Sequence, residues 1–235
     1  MSHQSEHLDG KVVVVTGAGS GFGRLILQKC AAGGARVVGL DIDSGNLDDV
    51  VTGIRAAGGQ ALARVADVTE LDQVKAAARS AVETFGSIDV LVNNAGVMPL
   101  AYFADHERAW QRWHQAIDIN IKGVVNGIAA VYDQMIGQGR GQVVNISSIY
   151  GNGGVEGAGV YSATKAAVTA ISDALRVETQ GRIKVTTVKP TGVFGTNLAG
   201  GIVNQTAIMA LAGQKGPQFA ENLANYMSGS LRPEQ

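Results

Sequence analysis

Short continuous apolar runs, each closed by glycine or a small polar residue, alternate along the chain with longer stretches whose apolar positions recur every three or four residues. The first run, Lys11-Val-Val-Val-Val-Thr16, has no polar alternation, which is the pattern of a strand buried on both faces. Runs of this kind predict strands over Lys11–Thr16, Ala35–Asp41, Gln60–Ala66, Ile88–Asn93, Gly141–Ser147 and Ile183–Lys189. The helical spacing predicts helices over Phe22–Ala32, Asn46–Ala57, Glu70–Phe85, Asp105–Gln138 with a break inside it, and Gly159–Thr179. Gly33-Gly34 ends the first of them. The segment after Asn197 reads as helix-like with little strand character. Strands and helices that alternate throughout predict an α/β fold, a doubly wound parallel sheet with helices on both faces. No linker, repeat or charge run divides the chain, so residues 1–235 read as one domain.

Hydrophobic residues make up 46% of the 235, enough for a sizeable core. The formal net charge of −1 gives no electrostatic basis for binding nucleic acid or an anionic membrane. No apolar run approaches the about 20 residues needed to cross a bilayer, and Met1–Gly10 carries no signal-peptide apolar core. The expectation is a cytoplasmic protein. Cys30 is the single cysteine, has no metal-ligand company, and reads as a buried structural thiol on a helix, so neither a disulfide nor a metal site is expected. Glycine is the outlier at 32 residues, about twice the usual share. Its clusters fall between apolar segments, where tight strand-to-helix turns and close ligand contacts need them.

The densest cluster is Thr16-Gly-Ala-Gly-Ser-Gly-Phe-Gly23, between the first strand and the first helix. Gly17, Gly19, Gly21 and Gly23, with Ser20 and Phe22, let the backbone turn sharply against a phosphate, and the helix N-terminus offers free N–H groups to a pyrophosphate. In this strand–turn–helix setting the string predicts a dinucleotide site; on its own it would be a structural turn. The second strand ends at Asp41, followed by Ile42 and Asp43, with no arginine beside it. A carboxylate there accepts hydrogen bonds from ribose hydroxyls and repels a 2′-phosphate, so NAD is favoured over NADP. The alternative role for Asp41 is to cap the next turn, which Asp43 could do instead.

Tyr161-Ser-Ala-Thr-Lys165 puts a tyrosine and a lysine four residues apart, on one face of a helix. A free tyrosine, with a pKa near 10, is a poor acid–base at neutral pH, and a nearby ammonium lowers that value. Ser148 closes the strand Gln142-Val-Val-Asn-Ile-Ser-Ser148 thirteen residues upstream, where strand ends line the usual crevice of parallel sheets. Its hydroxyl could bond a substrate oxygen. Ser147 is the alternative, facing the other side of the sheet. Asn93-Asn-Ala-Gly96 ends the fourth strand, and Asn120 lies inside the long helical region, where a buried amide needs partners.

Together, T-G-x-x-x-G-x-G, N-N-A-G, a helix asparagine, a strand-end serine and Y-x-x-x-K stand in the order of the short-chain dehydrogenase/reductase family, which the chain resembles from about Lys11 to Leu198. The resemblance implies a Rossmann-like fold and a catalytic set of Asn120, Ser148, Tyr161 and Lys165. Tyr161 would transfer the hydroxyl proton, Ser148 orient the substrate, Lys165 hold the nicotinamide ribose, and Asn120 support a water-linked relay. It further implies that Asp67 and Val68 contact the adenine, and that Asn93, Ala95 and Gly96 lie along the cofactor. Pro190, the Val193 backbone and the Thr196 hydroxyl would hold the carboxamide. Thr191 stands where the family has glycine, and the chain stops at Gln235, short of the family's seventh strand. The resemblance also implies a homodimer or homotetramer. Val97, Met98, Ile149, Val155 and Phe194 are candidate substrate walls, equally readable as core, and predict a hydrophobic secondary alcohol or ketone as partner. Trp110 and Trp113 read as packing or interface residues. A dinucleotide sensor without catalysis would tend to lose the tyrosine or lysine; an epimerase or dehydratase would need a longer chain.

Overall fold

The computed structural model describes residues 7–191, 198 and 201–211. Six strands form one sheet: β1 (Val12–Thr16), β2 (Arg36–Asp41), β3 (Gln60–Val65), β4 (Val90–Asn93), β5 (Gln142–Ile146) and β6 (Lys184–Val188). All pairs are parallel, in the order β3-β2-β1-β4-β5-β6. This is the doubly wound Rossmann-like arrangement, and each strand lies within two residues of its expected bounds. The helices are α1 (Gly21–Ala32), α2 (Ser44–Ala56), α3 (Leu71–Phe85), α4 (His106–Ile117), α5 (Gly123–Gly137), α6 (Gly159–Glu178) and α7 (Thr206–Leu211).

The unbroken valine run of β1 serves two cores at once. Val13 and Val15 pack with Leu27 of α1 and Leu47, Val50 and Val51 of α2. Val14 points the other way, into a cluster with Val74 and Ala78 of α3, Val131 and Met135 of α5 and Leu175 of α6. Residues on alternate sides of a strand therefore bury against opposite helical layers, which explains the absence of polar alternation. Cys30 packs at the margin of the α1–α2 cluster and is half-buried rather than fully enclosed; burial still pushes its thiol pKa up.

The amino-terminal ends of the central strands are tied by Asp89. Its carboxylate accepts from the Val12 amide at 3.0 Å, the Ser87 hydroxyl at 3.1 Å and Arg140 Nε at 2.8 Å. The amide and the two side chains hold its carboxyl below the usual carboxylate range against the opposing effect of burial.

The break expected within 105–138 is a single π-helical turn, Asp118–Lys122, between α4 and α5. Its central residue, Asn120, is completely buried. The chain reverses winding direction between β3 and β4, so a crevice opens at the carboxyl ends of β1 and β4, where such sheets bind ligands.

Candidate active site

A cleft of about 1110 Å³ occupies that crevice. At one end stands the turn from β1 into α1. Gly17 adopts φ +67°, and a Cβ there would meet the Ala95 backbone at 2.9 Å. A Cβ on Gly23 would sit 1.9 Å from the Gly17 carbonyl oxygen, so the turn and the helix touch backbone to backbone. Gly17, Ser20, Gly21 and Phe22 face the cleft, and no side chain caps the first amides of α1. Unpartnered amides at a helix start suit an anionic group.

Asp41, at the end of β2, also lines the cleft. Its Oδ2 accepts from the Gly19 amide at 2.8 Å and its Oδ1 from the Asp43 amide at 3.0 Å. Asp43 is the residue that caps α2, accepting from the Asn46 amide at 3.0 Å. Asp43 thus caps the helix, while Asp41 both holds the turn before it, through the Asp43 amide, and stands beside the glycine turn. Ile42 is exposed at the lip, and Asp67 and Val68 follow β3 into the same cleft. The Val68 carbonyl accepts from Asn126 Nδ2 at 2.8 Å, which fixes that stretch of backbone.

The N-N-A-G segment splits by residue. Ala95 and Gly96 line the cleft. The Asn93 side chain does not: it is buried at 3% exposure and donates to Asn145 Oδ1 at 2.8 Å, while Asn145 donates to Ser172 Oγ at 2.9 Å. Asn94 faces the cleft instead. Its Nδ2 donates to the carbonyls of Thr16 at 2.9 Å and Gly17 at 3.2 Å. Thr16 Oγ1 in turn accepts from the amides of Asn94 and Ala95, both at 3.0 Å. These bonds lock the end of β4 to the glycine turn. Sequence reasoning passed over Thr16 and Asn94; a polar residue at the last position of an all-valine strand was the available signal.

At the other end stand Ser148, Tyr161 and Lys165, all lining the cleft and all buried. Ser148 follows β5, caps a short 3₁₀ turn and accepts from the Tyr150 amide at 3.2 Å. Tyr161 and Lys165 share one face of α6, with Lys165 Nζ 5.8 Å from the centre of the Tyr161 ring. Lys165 Nζ donates to the Ile146 carbonyl at 2.9 Å. Burial pushes the Tyr161 phenol up to about 12, opposed by its bond with Ser148. Burial likewise brings Lys165 down to about 8. Burial disfavours the charged form of each, and at about 8 Lys165 is still mostly charged at neutral pH.

Asn120 does not line the cleft. Its Nδ2 donates to the Val97 carbonyl at 2.9 Å and Thr164 Oγ1 at 3.0 Å, and its Oδ1 accepts from the Val97 amide at 2.9 Å. Thr164 Oγ1 donates onward to the Tyr161 carbonyl at 2.7 Å. One amide therefore clamps the loop after β4, the π-helical turn and the Tyr161 helix together. Thr164 is a third residue that sequence reasoning missed, although it stands inside Y-S-A-T-K. Ser147 also borders the cleft, but its hydroxyl is engaged with α6, donating to the Lys165 carbonyl at 2.8 Å.

Of the candidate walls, Val97 and Met98 line the cleft and Ile149 and Val155 do not; Tyr150, which was not among them, does. Tyr150 meets the Tyr161 ring edge-on at 6.5 Å. Trp113 packs as expected, against Phe103 and Ala109, whereas Trp110 is 59% exposed and lines the cleft beside His114. Pro190 borders the cleft; Val193, Phe194 and Thr196 lie outside the described residues.

The short chain dehydrogenase family model matches residues 11–207. The chain belongs to this family. Among curated relatives of this short-chain dehydrogenase, the glycine betaine reductase ATRR of Emericella nidulans is 36% identical over 96% of this chain, which spans 18% of that protein's length. The 3-oxoacyl-(acyl-carrier-protein) reductase FabG of Thermotoga maritima is 38% identical over 78% of this chain and 74% of its own. The crystal structure of a short-chain dehydrogenase/reductase from Burkholderia phymatum in complex with NAD superposes with TM-score 0.82 at 32% identity, covering 98% of this chain and 84% of that one. A metagenomic short-chain oxidoreductase in complex with NADP gives TM-score 0.72 at 34% identity, over 78% of this chain and 83% of its own. Neighbours that bind NAD and NADP support a nicotinamide cofactor for this family member, and the uncapped first amides of α1 border the cleft where its pyrophosphate would lie. Among the described residues no group of His, Cys, Asp and Glu could hold a metal ion, and no helix is long and apolar enough to cross a membrane.

Proposed function

We propose that this short-chain dehydrogenase is an NAD-dependent oxidoreductase that interconverts a hydrophobic secondary alcohol and its ketone. The observation that carries the reading is the buried Tyr161–Lys165 pair beside Ser148, in one continuous cleft with the glycine turn and Asp41. The turn from Gly17 to Gly23 would hold the pyrophosphate and Asp41 the adenosine ribose. Asp67, Val68, Ala95, Gly96 and Pro190 would border the rest of the cofactor. Bound there, the nicotinamide supplies or accepts the hydride. Ser148 donates a hydrogen bond to the substrate oxygen, and Tyr161 gives or takes its proton. Lys165 steadies the ribose and, when charged, lowers the Tyr161 pKa. Burial pushes the free phenol up to about 12, and the positive charges of Lys165 and of a bound oxidised nicotinamide would act against that rise. Both relatives named above are reductases.

Charge supports NAD. Lys165 is the only lysine or arginine among the described cleft-lining residues, against Asp41, Asp67 and Asp118. Such a cleft disfavours a 2′-phosphate. Met98, Leu100, Ile202, Ile208 and Leu211 support an apolar substrate. Exposed Ile117 and Val125 along α4 and α5 support the homodimer or homotetramer.

The test is a panel of secondary alcohols and ketones followed by NADH absorbance, with kcat/KM compared for NADH and NADPH. Turnover of apolar ketones at least tenfold faster with NADH is expected. No turnover across the panel would sink the reaction assignment, and a clear NADPH preference would overturn the role given to Asp41.

A further inference from the structure

The apolar end of the cleft is built from two segments far apart in sequence. Met98 and Leu100 come from the loop after β4; Ile202, Ile208 and Leu211 come from α7 and the residues before it. Apolar packing is non-directional, so it does not decide how α7 sits against that loop. Directional contacts do. The Leu100 carbonyl accepts from the amides of Val203 and Asn204, both at 3.0 Å. Asp105 Oδ2 accepts from Asn204 Nδ2 at 2.7 Å, across 99 positions of sequence, and from the Tyr102 amide at 3.0 Å. Arg108 pairs with the other oxygen. Asn204 Oδ1 accepts from the amide and hydroxyl of Thr206 at 3.0 and 2.7 Å, so the same side chain starts α7.

Asp105 stands where two demands meet. Its carboxylate orders the turn that leads into α4, and its remaining lone pair reaches the segment carrying Ile202 and Ile208. Its side chain is only 10% accessible, so water competes weakly for that bond. Asn204 must be a donor on one side and an acceptor on the other, which an amide satisfies and a carboxylate does not.

We propose that Asp105 and Asn204 are positioning residues for the substrate: their bond sets the seat of α7, and so the apolar wall, and governs substrate affinity without touching cofactor or the transferred proton. This rests on the oxidoreductase reading of the cleft given above.

An exchange of partners tests it. Asn204→Asp sets two carboxylates against each other. Asp105→Asn combined with Asn204→Asp removes that repulsion: the amide at 105 can donate to the carboxylate at 204, which still accepts from Thr206, although an Nδ2 in the place of Oδ2 gives up the acceptor that Oδ2 also lends to the Tyr102 amide. For 2-octanone reduction with NADH, Asn204→Asp should raise KM about tenfold, the scale of a hydrogen bond to a charged group. Its kcat and its NADH dissociation constant should stay within about twofold. The double variant should recover part of the KM, since the repulsion between the two carboxylates is gone. Amide hydrogen exchange over 201–211 should speed up in the single variant and slow again in the double. Equal KM in wild type and Asn204→Asp, a fall in kcat or NADH affinity of the same size, or no recovery in the double variant would each overturn the proposal. Should the wild type turn over no ketone, the reaction assignment fails, and the exchange measurement still decides the pair: unchanged protection in Asn204→Asp refutes it.

Discussion

At its Asp41 end the cleft is made of backbone; at its Tyr161 end it is made of side chains. The first end consists of glycine amides, an uncapped helix start and one carboxylate bonded to the Gly19 amide. The second consists of the Ser148 hydroxyl, the Tyr161 phenol and the Lys165 ammonium, all buried, with Asn120 clamping the Tyr161 helix from behind through Thr164. A backbone site binds what every dinucleotide shares and tolerates few changes of shape. A side-chain site sets the protonation states that chemistry needs, and its tuning depends on packing around each group.

Four substitutions probe this contrast. The largest effect is expected from Tyr161→Phe, which removes the transferred proton and leaves the ring: ketone reduction should fall by about a thousandfold, within the range for a lost general acid. NAD binding by calorimetry should be unchanged. Joint loss of binding and turnover would erase the distinction between the two ends.

Lys165→Met addresses protonation through stability. The folded value of Lys165, about 8, lies below the unfolded value of 10.5, so the unfolded chain binds more protons between them. That stabilising contribution is present above pH 10.5 and lost as pH falls through 8. Wild type should therefore gain on the order of 2–3 kcal/mol relative to Lys165→Met between pH 7 and 10. Urea unfolding at the two pH values measures it, and parallel profiles would show that the ammonium is not desolvated.

Gly23→Ala tests the backbone end. With 1.9 Å available to its Cβ, the turn and α1 must separate, at about 1–3 kcal/mol of stability. NAD affinity should drop while the Tyr161 end keeps its structure. Full NAD affinity in this variant would contradict a turn shaped by backbone contact.

The smallest effect is expected from Thr164→Val, which is nearly isosteric but strands an Asn120 N–H. An unsatisfied buried donor costs about 1–3 kcal/mol, and kcat should fall about tenfold. Thr164→Ser should recover most of it. Equal kcat in both variants would show that the clamp does not position Tyr161.

The same contrast explains what could be read before the fold was known. The glycine turn, Asp41 and the six strands were legible because backbone demands are local: φ +67° at Gly17 and the valine run of β1 leave direct marks on the sequence. Ser148, Tyr161 and Lys165 were legible through their spacing and order. Thr164, Asn94 and the burial of Asn93 were not, because each depends on a partner on another element: Asn120, Thr16 and Asn145. Trp110 was not told apart from Trp113 for the same reason. It sits three residues before Trp113 on α4, yet one indole is buried and the other opens onto the cleft. Nothing in helical spacing alone says which side of α4 the cleft occupies.

The π-helical turn at 118–122 has a meaning for length as well as for contact. A regular helix advances about 100° per residue, and this turn accommodates one residue more than an α-helical turn would. It acts as a phase shifter between the inward face of α4, with Ala109, Trp113 and Ala116, and that of α5, with Val124, Val131 and Met135. Deleting one residue from it would rotate α5 by about a quarter-turn against the sheet, turning that apolar stripe partly outward. The segment between α4 and α5 is therefore as strict about the number of its residues as about their kind.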